Sequence, residues 1–152
     1  MNAISAVTSQ RRMYFRFKRD GSRDKGINSL DVVAFLRTLL RHTRGRLVVV
    51  LDNARQHRSR AIKELLRRRR RLQIVYLPGY SPDFNPDEGV WGWVKWGALG
   101  NFAAKDETEL VRAARAAMRR LQRLQGVIGG FWRHSMLPLD GLTMLHNKPE
   151  ND

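Results

Sequence analysis

The 152 residues contain no cysteine. Disulfides and thiolate zinc sites are therefore excluded. No apolar run is long enough to span a bilayer, and the first residues lack the apolar core of a signal peptide, so a soluble, cytoplasmic, bacterial chain is expected. Acids are scarce: 14 Asp and Glu stand against 29 Lys and Arg, a formal net charge of +15. Such an excess calls for a polyanionic partner, with nucleic acid ahead of a membrane surface. The length and the 42% hydrophobic content suit one ordinary domain with a core rather than a disordered chain.

Residues 2–8 and 13–18 alternate around a short polar link and predict a hairpin. A helix is expected from about Ser29, because Leu30, Val33, Leu36, Leu39 and Leu40 form one stripe and Asp31 suits the first turn. Residues 46–51, RLVVVL, are apolar on both faces and predict a buried strand. A helix over 59–71 is capped by Ser59. A second buried strand spans 72–77, LQIVYL, and Pro78 closes it. Another helix starts near Pro86, weakened by Gly89, Gly92 and Gly97 and anchored by its tryptophans. A longer helix runs from about Asp106 to Gln125, with Asp106 and Glu109 in capping-box spacing. GVIGGFW (126–132) is expected to break it, and the tail after Pro138 to be loose. Strands alternating with helices imply an α/β fold with a parallel sheet, whose ligands bind off the carboxyl ends of the strands.

LVVVLDNARQH (47–57) places Asp52 at such an end, where a lone carboxylate is costly to desolvate without a cation. A second acid, Glu88, follows the strand 72–77 and a proline-rich loop, which returns the chain to the same edge of the sheet. Two carboxylates meeting there suit Mg²⁺ (or Mn²⁺), a hard ion content with one or two carboxylates plus phosphate oxygens. Plainer roles stay open. Asp52 can cap the turn after its strand, and Asn85 can cap a helix with Glu88 as its capping-box partner.

The segments VVVLDNARQH (48–57) and VYLPGYSPDFNPDEGVWGWVKW (75–96) resemble the DDE-superfamily transposases of the mariner-related bacterial insertion sequences. Asp52, Asn53 and His57 match the pattern of the second acid. Leu77, Pro78, Tyr80, Ser81, Pro82, Asn85, Pro86, Glu88, Trp91 and Lys95 match that of the third. The likeness covers about residues 2–135. It implies an RNase H-like mixed sheet flanked by helices, divalent metal, and DNA strand cleavage followed by strand transfer. Asp52 and Glu88 become metal ligands, with Asp87 the neighbour most able to confuse the assignment. His57 could orient a ligand or touch phosphate, Tyr80 and Ser81 could shape the rim, and Lys95 could reach DNA. Trp91 reads better as core than as a base-stacking platform.

The family's first acid, on its first, central strand, has no counterpart. Asp20 and Asp24 fall in a loop and Asp31 at a helix start. The fold expected is thus an RNase H-like sheet lacking its first strand, a partial catalytic domain over 1–136 with a loose tail over 137–152. The first Asp would come from an upstream reading frame or a fusion; a decayed remnant that only binds DNA and a misplaced start are the alternatives. The partners expected are element-end and target DNA, with a homo-oligomer open and no membrane. Two basic sets suit non-specific phosphate contact: Arg67–Arg71 at a helix end, chiefly Arg67, Arg68, Arg70 and Arg71, and Arg112, Arg115, Arg119, Arg120 and Arg123 along the longer helix.

Overall fold

The computed structural model describes residues 2–18, 26–79 and 82–137. Local signals set most element starts. The Asn28 side chain accepts from the Leu30 and Asp31 amides while Asp31 reaches back to the Asn28 N–H, a capping box that opens helix α1 (Ser29–His42). The Ser59 hydroxyl accepts from the Ile62 amide at the start of α2 (Arg60–Arg68). Pro86 opens α3 (Pro86–Gly92), capped by Asn85, whose side chain accepts from the Asp87 amide at 3.1 Å. Asp106 caps α4 (Glu107–Arg123) by accepting from the Glu109 amide at 2.7 Å, while the Glu109 carboxylate reaches the Lys105 amide instead of closing the box.

Four strands complete the described residues: β1 (Ala3–Val7), β2 (Met13–Phe17), β3 (Leu47–Leu51) and β4 (Leu72–Tyr76). The single sheet expected from the strand–helix alternation is instead two separate ladders. β1 and β2 pair antiparallel, with Ala3 opposite Phe17 and Val7 opposite Met13. β3 and β4 pair in parallel, with Leu47 against Leu72 and Leu51 against Tyr76. α1 lies against both. Its buried residues Val32, Val33, Phe35, Leu36, Leu39 and Leu40 share one core with Ile4, Ala6 and Tyr14 of the first ladder and with Leu47, Val49, Leu72 and Ile74 of the second. The opposite face of the first ladder, with Met13 and Phe17, packs on a second core built from α3, α4 and the last helix, α5 (Gln125–His134).

The two buried strands expected from their apolar sequences need correction. All five residues of β3 are only partly buried, and in β4 Gln73 and Val75 are exposed. The alternation follows from one-sided cover: α1 and α2 pack on one face of this ladder, while α3 to α5 gather around the other ladder. The arginine run also departs from expectation. The α2 helix ends at Arg68, so Arg69, Arg70 and Arg71 lie in the turn to β4. The loop over 19–25 and the residues from 138 onward lie outside the described residues.

GVIGGFW does not break the helical region but lies inside α5; the interruption is at Leu124 alone. Burial of Ile128 and Gly129 overrides the weak helix propensity of the glycines. One glycine of α3 explains the docking of α5. A Cβ on Gly89 would stand 2.6 Å from Phe131 Cδ1, so only glycine lets the ring lie on α3. α3 then runs into a π-helical segment, Trp93–Ala98, where the Leu99 amide bonds the Val94 carbonyl. Trp91 and Trp93 anchor it as expected, whereas Trp96 is 82% exposed.

Gly89→Ala weighs two effects. Alanine gains about 0.5–1 kcal/mol of helix propensity, and overpacking against Phe131 costs about 1–3 kcal/mol. Overpacking should win, giving a net loss in urea denaturation that Phe131→Leu in the same chain partly restores.

Candidate active site

β3 delivers Asp52 to its carboxyl end, and the chain turns at once. Asp52 Oδ1 accepts from the Ala54 amide at 3.1 Å, a side-chain-closed turn that leads into a 3₁₀ turn over Arg55–Arg58. That turn swings His57 back, so that its Nδ1 lies 2.6 Å from Asp52 Oδ1 and 3.2 Å from the Asp52 carbonyl oxygen. The His57 side chain is 12% exposed and that of Asp52 60%. The imidazole is thus held from inside while the carboxylate faces outward. Tyr76, the last residue of β4, fixes the turn by donating its hydroxyl to the His57 carbonyl at 2.7 Å, and the Arg58 guanidinium sits 4.7 Å from the Tyr76 ring centre. Asn53 is exposed. Asp52 therefore does close its turn, and still presents most of its carboxylate to solvent.

The chain leaves β4 at the same end of the ladder: the Leu77 amide bonds the Leu51 carbonyl, one residue before Asp52. Tyr80 and Ser81 lie outside the described residues. A 3₁₀ turn over Pro82–Phe84 then leads into α3, whose first turn carries two adjacent acids with opposite fates. The Asp87 carboxyl is enclosed. Ser5 Oγ, from the middle of β1, lies 2.8 and 2.7 Å from its two oxygens, and the Trp91 indole donates to Oδ2 at 3.2 Å. One hydroxyl has one proton. Two equally short contacts suit a shared hydrogen bond, or a protonated carboxyl that donates back to the serine. Desolvation pushes the Asp87 carboxyl up to about 6; the bonds from Ser5 and Trp91 oppose the rise and the neighbouring Glu88 carboxylate adds to it.

The Glu88 carboxylate is exposed and has no hydrogen-bond or ion-pair partner among the described residues. The helix start is capped by Asn85 without its help, so Asn85 has a structural task and the capping-box role open to Glu88 is not taken up. Lys95 is exposed, with Nζ 5.9 Å from the centre of the Trp91 ring. Trp91 itself packs against the core, as its apolar surface suggested.

The order of these pieces is decisive: a strand ending in an acid, a second parallel strand, a proline-rich turn, and a helix whose third residue is a free acid. The DDE superfamily endonuclease family matches residues 1–111, from β1 into the first turns of α4. The chain belongs to the DDE superfamily endonucleases. No curated protein and no solved structure matches it. Members of this superfamily are generally divalent-metal-dependent nucleases of the transposase type that act on DNA. The donor chemistry of the DDE domain fits such an ion, since Asp52 and Glu88 offer hard carboxylate oxygens open to solvent. Among the described residues no three His, Asp or Glu side chains are grouped as a complete metal site, and none of the helices there is long and apolar enough to cross a membrane.

The basic candidates separate by environment. Arg67 and Arg68 pair with Glu64 at 2.8 and 2.6 Å. Arg70 is exposed. Arg71 donates to the carbonyls of Leu40, Thr43 and Gly45 and so closes the carboxyl end of α1. On α4, Arg112, Arg115, Arg119, Arg120 and Arg123 are exposed, and Arg115 stacks 5.1 Å from the Phe17 ring centre. The residue missed by sequence reasoning is Ser5. Its signal was available, as the one polar side chain in the strand AISAV.

The raised Asp87 value makes stability depend on pH. The acid is harder to ionise in the fold than in the unfolded chain, so its contribution is complete below about pH 4 and is lost as pH rises through about 6. The loss approaches about 3 kcal/mol at neutral pH, from about 1.4 kcal/mol per unit. Asp87→Asn keeps an acceptor for Ser5 and Trp91 and removes the ionisation. Urea titrations from pH 4 to 8 should show the variant gaining on the parent as pH rises; parallel curves would contradict the assignment.

Proposed function

We propose that the chain is the catalytic portion of an insertion-sequence transposase of the mariner-related group, cutting DNA at element ends and joining the freed 3′ end to target DNA. The observation that carries this reading is the sorting of the two adjacent acids. Asp87 is used up inside the fold, and Glu88 stands free on the first turn of the same helix. A first-turn carboxylate favours the helix dipole, but Asn85 already caps this start, so the Glu88 oxygens stay open to an external cation. Asp52 supports the reading in the same way, with a carboxylate that remains mostly exposed after closing its turn.

In this reading Asp52 and Glu88 hold Mg²⁺ or Mn²⁺, which when bound supplies Lewis acidity at the scissile phosphate and favours ionisation of the attacking water. His57 acts as a positioning residue: from its enclosed place it fixes Asp52 Oδ1 and directs the remaining oxygen outward. Asn53 and Lys95, both exposed, lie within the motifs and serve the rim and the DNA respectively. Asn85 caps the helix start that carries Glu88.

A third acid completes the set, and the strands suggest where it enters. Among the described residues β1 and β3, like β2 and β4, are each paired along one edge only, and α1 covers both ladders. Unpaired edges of apolar strands are costly. A strand ending in Asp, supplied by an upstream frame or a fusion, would pair with both and bring its acid to the Asp52 end. The assembled protein would work on DNA in the bacterial cytoplasm, at the nucleoid.

The test is nicking of element-end DNA with Mg²⁺ by residues 1–152 alone and joined to the upstream strand. Activity is expected in the fusion only, abolished by Asp52→Asn and Glu88→Gln but kept by Asp87→Asn. His57→Ala should weaken Mn²⁺ binding about 10- to 100-fold, read by titration without DNA. DNA binding without nicking in both forms would instead mark a remnant that has lost its chemistry.

A further inference from the structure

The outward stripe of α1 is basic. Ala34, Arg37, Thr38 and Arg41 follow one another at helical spacing on the side away from the buried residues. Arg16 of β2 and the turn residues Arg69 and Arg71 join them to line a groove of about 410 Å³. A second groove of about 490 Å³ shares Arg16, Thr38 and Arg41 with it and extends to His42. Among the described residues no acid lines either one. Like charges gathered this way repel one another, and the fold accounts for only part of the cluster. Arg71 serves the α1 carbonyls, and Arg41 donates to the Thr38 hydroxyl at 3.2 Å. The guanidinium groups of Arg16, Arg37 and Arg69 have no hydrogen-bond or ion-pair partner among the described residues. Asp31, whose carboxyl is held below its ordinary value against desolvation by the Asn28 amide, Lys18 and Arg16, is already paired with Lys18 at 3.0 Å.

We propose that this groove is a second DNA-binding site that grips the phosphodiester backbone of duplex flanking the cut. The choice of DNA as occupant rests on the transposase reading; the anion chemistry rests on the groove alone. Guanidinium forks match phosphate oxygens two at a time, so a few unpaired arginines in one trough can follow successive phosphates. The groove is separate from the candidate active site. Arg69 and Arg71 precede β4, and the Leu47 amide bonds the Arg71 carbonyl at the amino end of the parallel ladder. Asp52 follows the other end, beyond a five-residue strand, roughly 16 Å along the ladder. One duplex reaching both would contact the groove well away from the scissile phosphate.

The experiment measures binding of the full chain to a labelled 30-base-pair duplex in EDTA while salt is varied. Arg37→Gln with Arg69→Gln should flatten the slope of log affinity against log salt by about 1.8, at about 0.9 per lost phosphate contact. That corresponds to about 60-fold weaker binding at 0.1 M salt for an unchanged value at 1 M. Arg37→Lys with Arg69→Lys should keep the slope and lose affinity, as point charges replace forks. Arg12→Gln with Arg133→Gln removes the same charge from residues that line neither groove, and should leave the slope unchanged. Thermal melts by circular dichroism check that each variant folds. An unchanged slope in the first variant, an equal fall in the Arg12 and Arg133 control, no binding by the parent chain, or tighter binding to the matching RNA duplex would each overturn the proposal. Because no metal is present, the outcome is independent of nicking: a normal groove without cleavage sinks only the catalytic reading, and cleavage with an unchanged slope sinks only the groove.

Discussion

Two ladders that share no backbone hydrogen bonds are held in one fold by the apolar face of α1. Every other placement depends on that burial. It packs both ladders on one helix, and β1 also carries Ser5, whose hydroxyl meets the carboxyl of Asp87. Non-directional burial thus joins the two ladders, and one directional contact holds the start of α3. Phe131 presses on the same helix at Gly89, so α3 is held from both sides.

The consequence is a division of labour between neighbouring acids. Successive residues in the first turn of a helix point about 100° apart. Once Asp87 is turned inward, Glu88 is turned away from that contact by the helix itself. Asp52 is treated in a parallel manner, with an inner histidine holding one oxygen. In both places the protein spends an enclosed polar group to aim an exposed carboxylate. Desolvation keeps the contacts around Asp87 strong, which is also why its carboxyl gives up its proton so late.

What could be read from the sequence was local. Ser59, Asn85, Pro86 and Asp106 announced their helices because capping depends on residues within one turn. Asp52 was legible as an acid ending an apolar strand, and its partner His57 lay five residues on. The depth of β3 and β4 was not legible, because five consecutive apolar residues say nothing about whether a neighbour covers both faces. α5 was missed because its glycines weaken a helix that tertiary packing restores. The separate uses of Arg67, Arg68 and Arg71 were hidden for the same reason: their partners, Glu64 and the end of α1, are set by the fold and not by a run of like residues. Asp87 and Glu88 could be ranked only by motif until Ser5, eighty-two positions away, appeared beside one of them.

The π-helical segment after α3 leaves a last consequence. Widening the helix there turns Trp96 out into water, 82% exposed, while Trp91 and Trp93 stay against the core. The four tryptophans of the chain are therefore optically unequal. Trp96 will emit furthest to the red and be reached first by iodide, a built-in fluorescent reporter on the same helical stack as Glu88.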